Sequence, residues 1–253
     1  HILMIGMIVT FILTFFLLEH PFSFLPSDQG RAFAVNGSLS KGKLRGVGFI
    51  FVLCFLISSV LFLPIDVEYV IYAILLFAMM ISGYLDDASK TPWNEYKKGL
   101  IDLVISVVAV LTYMNFNSTT ICFGADEIVI PKALFLILGV ILIWVSVNVT
   151  NCTDGVDGLC ASLCSVTLLA FGVLFAPILQ KYAMANFLFL SVLFAYLYFN
   201  SSPSSMLMGD AGSRALGFYI AVIALKSTHP FIYILLAAVM IVDGGIGLVK
   251  IAL

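Results

Sequence analysis

The stretch Ala133-Leu-Phe-Leu-Ile-Leu-Gly-Val-Ile-Leu-Ile-Trp-Val-Ser-Val147 is followed directly by Asn148-Val-Thr-Asn-Cys-Thr-Asp-Gly-Val-Asp-Gly-Leu159. The first part is an unbroken apolar run, as expected of a helix that crosses a membrane, which needs about 20 mostly apolar residues. The second part places two amides, two carboxylates and two glycines within eleven residues. Carboxylates at the edge of a membrane helix are costly and usually functional. This stretch therefore predicts a spanning helix that ends in a functional polar segment.

The composition of the whole chain supports the same class of protein. Of its 253 residues, 62% are hydrophobic and 10% are charged, and the mean hydropathy is +1.15. These values lie far outside the range of soluble globular proteins. They predict an all-α, polytopic membrane helix bundle. The net charge of -2 leaves no general basic surface, so we expect no nucleic-acid partner.

Nine apolar runs predict nine spanning helices. The runs are residues 2–18, 46–65, 69–85, 103–122, 133–147, 159–180, 182–199, 211–225 and 231–253. The last run contains Asp243-Gly-Gly-Ile-Gly247 in its middle. Glycines and a carboxylate there predict a ninth helix that is broken where its backbone lines a cavity.

The distribution of basic residues predicts the orientation. If nine helices alternate, loops 19–45, 86–98, 148–158 and 200–214 share one side. The basic residues of that side are Arg31, Lys41, Lys43, Arg45, Lys90, Lys97, Lys98 and Arg214, whereas the other side has Lys132, Lys181 and Lys226. The positive-inside rule then makes the first side cytoplasmic and the N-terminus external. The segment 115–131 is expected to form an external hairpin.

Three acidic clusters fall on this predicted cytoplasmic side. They are Asp86-Asp87 at the end of the third span, Asp154 with Asp157, and Asp210 at the start of the eighth. Three loops that converge on one face favour an active site for metal-assisted chemistry at the bilayer surface. Each cluster also has a structural interpretation, such as a solvated helix end for Asp86-Asp87 or a simple helix cap for Asp210.

Local spacing suggests roles within two of the clusters. Lys90 lies four residues after Asp86, so a helical continuation would place both on one face. Asp210 lies between glycines at a predicted helix N-terminus. It could hold Mg²⁺ while neighbouring backbone N–H groups face phosphate oxygens.

Taken together, the polar segments resemble one enzyme family. The segments are Leu85-Asp86-Asp87 with Lys90 and Lys98, Asn148-x-x-Asn151-x-Thr153-Asp154-Gly-x-Asp157-Gly-Leu159, and Met208-Gly-Asp210-x-Gly-Ser213-x-Ala-Leu-Gly217. In this order and spacing they resemble the polyprenyl-phosphate N-acetylhexosamine-1-phosphate transferases. The Thr-Asp-Gly-x-Asp-Gly-Leu form is most similar to the phospho-N-acetylmuramoyl-pentapeptide transferase branch. The resemblance covers residues 38–253.

The resemblance implies a reaction and its partners. Members of that branch transfer a sugar-1-phosphate from UDP-N-acetylmuramoyl-pentapeptide to undecaprenyl phosphate, which releases UMP and makes lipid I for peptidoglycan synthesis. It implies Mg²⁺ as cofactor, a homodimer of ten-helix subunits in the bilayer, and location in the bacterial inner membrane with the active site on the cytoplasmic face.

The resemblance also assigns residues. Asp210 would ligate Mg²⁺, and Asp86 or Asp87 would act on the attacking lipid phosphate as base or orienting group, so these three are the expected catalytic residues. The expected substrate-binding residues are Lys90, Lys98, Asn148, Asn151, Asp154, Asp157, Leu207 and Ser213.

Three departures from the family pattern keep alternatives open. A His-rich last cytoplasmic loop and a tenth helix are not found before Leu253, so we expect residues 1–253 to be a single catalytic domain that lacks both. The first loop reads Ser40-Lys-Gly-Lys-Leu-Arg-Gly-Val-Gly48 instead of a form close to Ser-Lys-x-Gly-Thr-Pro-Thr-Met-Gly-Gly, and Leu207 replaces a phenylalanine that supports uracil. The alternatives are a UDP-N-acetylglucosamine transferase, a secondary transporter, whose carboxylates would lie near the midplane, and a non-catalytic scaffold.

Overall fold

The structure, a computed structural model, is a bundle of helices with one short hairpin. It describes residues 1–20, 22–28, 30, 40–124 and 126–252, with side chains described up to residue 247. Arg31 and the side chain of Lys250 lie outside this description. The elements are α1 (Ile2–Glu19), α2 (Gly48–Phe62), α3 (Val67–Asp87), α4 (Glu95–Phe116), β1 (Thr120–Phe123), β2 (Asp126–Val129), α5 (Lys132–Thr153), α6 (Leu159–Leu174), α7 (Ala176–Leu179), α8 (Lys181–Asn200), α9 (Gly209–Lys226), α10 (Pro230–Leu236) and α11 (Ala238–Ala252).

Helix α9 forms the centre of the bundle. Every residue from Gly209 to Leu225 is buried, and α9 packs mainly against α3 and α5 and also against α2. A helix that is buried all round must satisfy its charged side chains with partners inside the protein. The two charged residues of its N-terminal half, Asp210 and Arg214, are therefore held by ion pairs.

The outer surface of the bundle is suited to lipid. Five helices, α1, α3, α4, α5 and α8, are long and apolar enough to cross a membrane, and α10 with α11 makes a sixth candidate that is bent by 74°. Their outward faces expose large apolar side chains such as Ile5, Leu100 and Ile137. Helices α2 and α6 are shorter, and α9 carries three charged residues. The chain is a polytopic helical bundle, and the count of nine spans stays a prediction.

The predicted apolar runs mark the helices but misplace some of their ends. Helix α4 occupies 95–116 instead of 103–122, because Asn94 caps its N-terminus by accepting from the Tyr96 N–H. The residues that follow form the predicted hairpin, with β1 antiparallel to β2. The run 159–180 is two helices, since Pro177 in the first turn of α7 cannot continue the ladder of α6.

The predicted break at Asp243-Gly-Gly-Ile-Gly247 is wrong in its position. The bend lies at Ala237, between α10 and α11, and α11 continues through the glycines. Gly244 is a packing residue, because a Cβ atom there would lie 2.5 Å from the carbonyl oxygen of Val149. Its missing side chain lets α11 pack closely on α5, as small residues do between membrane helices.

A partly buried polar cluster joins three helices at the end of the bundle opposite to the acidic loops. Lys226 of α9 donates to both carboxylate oxygens of Glu68 at 3.0 and 2.9 Å and to Asn117 at 2.7 Å. Asn117 also donates to Glu68 at 2.7 Å. Glu68 lies in the first turn of α3, and Asn117 directly follows α4. This cluster therefore fixes the N-terminal end of α3 and the C-terminal end of α4, and the acidic loops lie at the opposite ends of these two helices.

Candidate active site

The four loops predicted to share one side meet at one end of the bundle. Side-chain contacts join Arg45 to Asp87 and Asp210, and Lys98 to Asp86 and Asp210. We call these five residues the charged cluster. The convergence of the Asp86-Asp87 and Asp210 motifs is therefore present in the fold, although they are separated by more than a hundred residues of sequence.

Asp87 caps helix α9 from another helix. Its Oδ1 accepts from the Asp210 N–H at 3.1 Å and its Oδ2 from the Ala211 N–H at 3.0 Å. A helix N-terminus favours an anion, and here that anion is the fully buried Asp87 carboxylate. Asp87 occupies these two N–H groups, and the predicted contact of backbone N–H groups with substrate phosphate stays a prediction. Asp210 is also not the cap of its own helix.

Two glycines make this capping possible. Gly209 has a φ of +67°, and a Cβ atom there would lie 2.3 Å from the Asp87 Oδ2 atom. Gly83 lies one turn before Asp87, and a Cβ atom at Gly83 would lie 2.3 Å from the carbonyl oxygen of Asp210. Both positions therefore allow α3 to approach the first turn of α9 closely.

Lys98 joins the other two carboxylates of the charged cluster. Its Nζ lies 2.7 Å from Asp86 Oδ2 and 3.3 Å from Asp210 Oδ2. The second oxygen of Asp86 accepts from the Trp93 N–H at 2.7 Å. The two carboxylates at the end of α3 thus have different partners. Asp86 is paired with Lys98, and Asp87 is paired with Arg45 and with two backbone N–H groups of α9.

Arg45 is a site residue that the sequence reasoning counted only as a loop charge. Its Nε lies 2.8 Å from Asp87 Oδ1, its Nη1 3.3 Å from Asp28 Oδ1 and its Nη2 3.4 Å from Asp210 Oδ1. Burial lowers the pKa of the guanidinium, but the charges of Asp87, Asp210 and Asp28 outweigh burial, and the pKa is raised above its ordinary value. Arg45 is therefore a permanent positive charge.

A second ion pair lies one helical turn deeper than Lys98 and Asp210. Arg214 of α9 donates from Nη2 to Oδ1 of Asp102 on α4, and both residues are buried. Because Asp102 follows Lys98 by four residues and Arg214 follows Asp210 by four, the two helices are joined by two ion pairs of opposite polarity. The sequence reasoning missed Asp102, whose signal was a carboxylate directly before the predicted apolar run 103–122.

The Asn151 to Asp157 segment supports the site from the side of α5. Asn151 Nδ2 donates to Ser213 Oγ at 2.9 Å, which ties the end of α5 to the first turn of α9. Asp157 accepts from the N–H and the hydroxyl of Ser204 at 3.0 and 2.8 Å, and Lys43 lies 3.8 Å from it. Asp154 is buried just after the end of α5. Asp157 thus connects the first loop to the segment before α9.

Of the eight expected substrate-binding residues, Lys98 alone belongs to the charged cluster, and three of the others lie in different surroundings. Helix α3 ends at Asp87, so Lys90 is exposed beyond it, and Lys98 instead of Lys90 contacts Asp86. Asn148 donates to the Trp144 carbonyl of its own helix. The Leu207 side chain is 7% exposed, so it is not an open stacking surface here. Their roles toward substrate stay predictions.

Comparison with known proteins gives one consistent family. The profile of Glycosyl transferase family 4 matches residues 69–228. A phospho-N-acetylmuramoyl-pentapeptide-transferase of Treponema pallidum is 35% identical over 98% of this chain and 75% of its own length. Proteins with the same name from Halalkalibacterium halodurans and Dictyoglomus turgidum are 28% and 25% identical, each over 96% of this chain and 80% of their own length. The resemblance noted from the motifs is confirmed: the chain belongs to glycosyl transferase family 4 and, within it, to the phospho-N-acetylmuramoyl-pentapeptide transferases.

Proposed function

We propose that the chain transfers phospho-N-acetylmuramoyl-pentapeptide from its UDP conjugate to undecaprenyl phosphate and so produces lipid I and UMP. An oxygen of the lipid phosphate forms a bond to the phosphorus next to the sugar. The bond from that phosphorus to the oxygen shared with the UMP phosphate breaks, and UMP leaves with the electron pair. The observation that carries the proposal is the charged cluster, where Asp210, Lys98 and Arg45 meet at the N-terminal end of the central helix α9.

The donor set of the site is compatible with Mg²⁺. Within the described residues no group of three or more His, Cys, Asp or Glu side chains is arranged to hold a metal ion. Mg²⁺ does not need one, because it usually takes one or two carboxylates and completes its shell with water and substrate phosphates. Asp210 suits that role, since its partners Arg45 and Lys98 lie at 3.4 and 3.3 Å, longer than the roughly 2.7–2.9 Å of a strong charge-assisted bond.

The residues of the chain would act mainly by position and charge. Mg²⁺, when bound with Asp210 and the phosphates, supplies charge neutralisation to the diphosphate. A phosphate monoester has a second pKa of about 6 and is already ionised near neutral pH, so a general base is not required. Asp86 holds Lys98, and Asp87 holds Arg45 and the first turn of α9. We therefore assign both aspartates an orienting role in preference to a role as base.

The proposal includes the membrane arrangement. We place the charged cluster at the cytoplasmic face of the bacterial inner membrane, where a soluble UDP-sugar can meet a lipid whose tail stays in the bilayer. The positive charge of the loops supports this orientation. Nine spans in this chain and a homodimer are parts of the same proposal.

UMP release is the test. The purified protein in detergent, with undecaprenyl phosphate and Mg²⁺, is given UDP-N-acetylmuramoyl-pentapeptide or UDP-N-acetylglucosamine. We expect UMP from the muramoyl donor alone and none with Asp210→Asn. Asp126→Asn, the same change in the exposed hairpin at the opposite end, is the matched control and should keep the activity. Release from the glucosamine donor alone would contradict the proposed substrate.

A further inference from the structure

The guanidinium of Arg45 is held in a fixed place by both its backbone and its side chain. The Arg45 N–H donates to Pro26 O at 2.9 Å, and the neighbouring Leu44 carbonyl accepts from the Leu207 N–H at 2.8 Å. The Val47 and Gly48 N–H groups donate to the carbonyls of Leu207 and Met208 at 3.2 and 3.0 Å. The first loop is therefore paired with the segment that leads into α9, which places Arg45 beside Asp210.

The guanidinium has one short contact, 2.8 Å from Nε to Asp87, and two longer ones, 3.3 Å from Nη1 to Asp28 and 3.4 Å from Nη2 to Asp210. Asp87 and Asp28, its partners at Nε and Nη1, have side chains that are 0% and 1% exposed, whereas the Arg45 side chain is 27% exposed. Asp87 and Asp28 thus fix the plane of the group, and part of the Arg45 side chain stays accessible to solvent.

The site holds more carboxylates than cations, so a phosphate bound there needs a positive charge next to Asp210. Asp28, Asp86, Asp87 and Asp210 bring four carboxylates within reach of Arg45 and Lys98. Substrates that carry phosphates add more negative charge, and like charges in a partly buried site repel strongly. A guanidinium is planar, always charged and suited to paired hydrogen bonds with phosphate oxygens.

We propose that Arg45 binds substrate phosphate: its Nη2 edge, presented by Asp87 and Asp28, donates to phosphate oxygens that reach Asp210. This rests on the proposed function, because it takes the substrates of that reaction as the source of phosphate. Two sources share the chemistry, the diphosphate of the UDP-sugar and the monophosphate of the lipid carrier. Arg45 is then a catalytic residue of the first loop, in addition to Asp210.

Binding measurements without turnover test the proposal in the full chain. In the first arm, UDP-N-acetylmuramoyl-pentapeptide and uridine are titrated with Mg²⁺ and no lipid carrier. In the second arm, undecaprenyl phosphate and undecaprenol are titrated with no nucleotide. The variants are Arg45→Gln, which removes the charge, and Arg45→Lys, which keeps it without the planar fork. Lys41→Gln, at an exposed position of the same loop, is the control for general charge.

We expect Arg45→Gln to bind at least one phosphate-bearing ligand about tenfold to a hundredfold more weakly, as for the loss of a hydrogen bond between charged groups. Uridine and undecaprenol should bind as in the wild type, and Arg45→Lys should recover part of the loss. The arm in which affinity falls identifies the phosphate.

Two results would overturn the assignment. One is unchanged affinity of Arg45→Gln for both phosphate-bearing ligands. The other is an equal loss for the ligands without phosphate, which would mean that Arg45 only holds the loop in place. A wild-type protein that binds no UDP-sugar would instead contradict the proposed function, so the two failures are distinguishable.

Discussion

Replacing Arg214 by methionine tests the deeper ion pair between α4 and α9. The Arg214 and Asp102 residues are 2% and 3% exposed, so the change would leave a buried carboxylate without its cation. Removing one partner of a buried pair costs about 3–5 kcal/mol. The pair itself is imperfect, because Nε and Nη1 of Arg214 have no hydrogen-bond partner among the described residues.

The double variant Asp102→Leu with Arg214→Met should therefore behave differently from either single change. Replacing both charges by apolar side chains of similar size is often neutral or stabilising. The two unpartnered Arg214 donors would be removed as well, and buried donors without partners are costly. We expect thermal unfolding in detergent to show both single variants strongly destabilised and the double variant close to the wild type.

Activity separates positioning from stability. Lys98 and Asp210 lie one turn above the pair on the same two helices, and the Lys98 side chain is long and flexible. Without the deeper pair, α4 loses a fixed register against α9, so we expect kcat of the folded double variant to fall about tenfold to a hundredfold, as for other supporting residues around a metal site. A double variant that is as active as the wild type would refute the positioning role. A double variant that is less stable than both single variants would refute the energetic reasoning.

Three further outcomes follow from the geometry of the bundle. Gly209→Ala should lose transfer activity, because its Cβ atom would clash with Asp87 Oδ2 and Gly209 has a positive φ. The measurement is UMP release, and the control is Gly99→Ala, where the space around the added Cβ atom is open. Asp87→Asn should lower the free energy of unfolding by about 1–3 kcal/mol, since a neutral amide replaces a carboxylate bound to two N–H groups and Arg45. Chemical unfolding measures this free energy, and a variant that loses activity but no stability would contradict the capping role of Asp87. Lys226→Met should destabilise the protein, because the Glu68 carboxylate would lose its cation and keep only the hydrogen bond from Asn117. It should leave kcat of the folded fraction unchanged, because the charged cluster lies at the other end, and a lower kcat would show coupling between the two ends.

Hydropathy predicted the ends of lipid-facing helices well, but it predicted poorly the ends of helices whose residues contact the polar interior of the protein. Helix α1 matches its apolar run almost residue for residue because lipid-facing side chains leave little room for charge. The first two turns of α4 contain Glu95, Lys97 and Lys98, which an apolar window excludes although the helix includes them. The bend at Ala237 has no glycine or proline at its centre, so local composition points instead to the glycines of α11, which serve close packing.

Four members of the charged cluster, Asp86, Asp87, Lys98 and Asp210, were predicted from the sequence, and Arg45 was missed. Asp86, Asp87 and Asp210 stand out because acidic residues are rare at the ends of apolar runs. Arg45 and Asp28 lie in a loop where charges are ordinary, and their partners are distant in sequence, such as Asp210 for Arg45. The pairing of the first loop with residues 206–208 brings Arg45 beside Asp210, and bridging within that loop brings it beside Asp28. A single sequence carries no signal of that pairing.

The arrangement of charges explains how α9 can be buried and still carry Asp210, the proposed Mg²⁺ ligand. Its first turn would leave unpaired N–H groups in the interior, and Asp87 from α3 satisfies two of them. That carboxylate then needs a cation, which Arg45 supplies from the first loop, while Lys98 from α4 serves Asp86 and Asp210. The cations that serve Asp86 and Asp87 are thus placed within reach of Asp210, where we propose that substrate phosphate binds. Asp87 therefore both caps α9 and holds Arg45 beside Asp210, so a change that loosens the cap should also weaken phosphate binding.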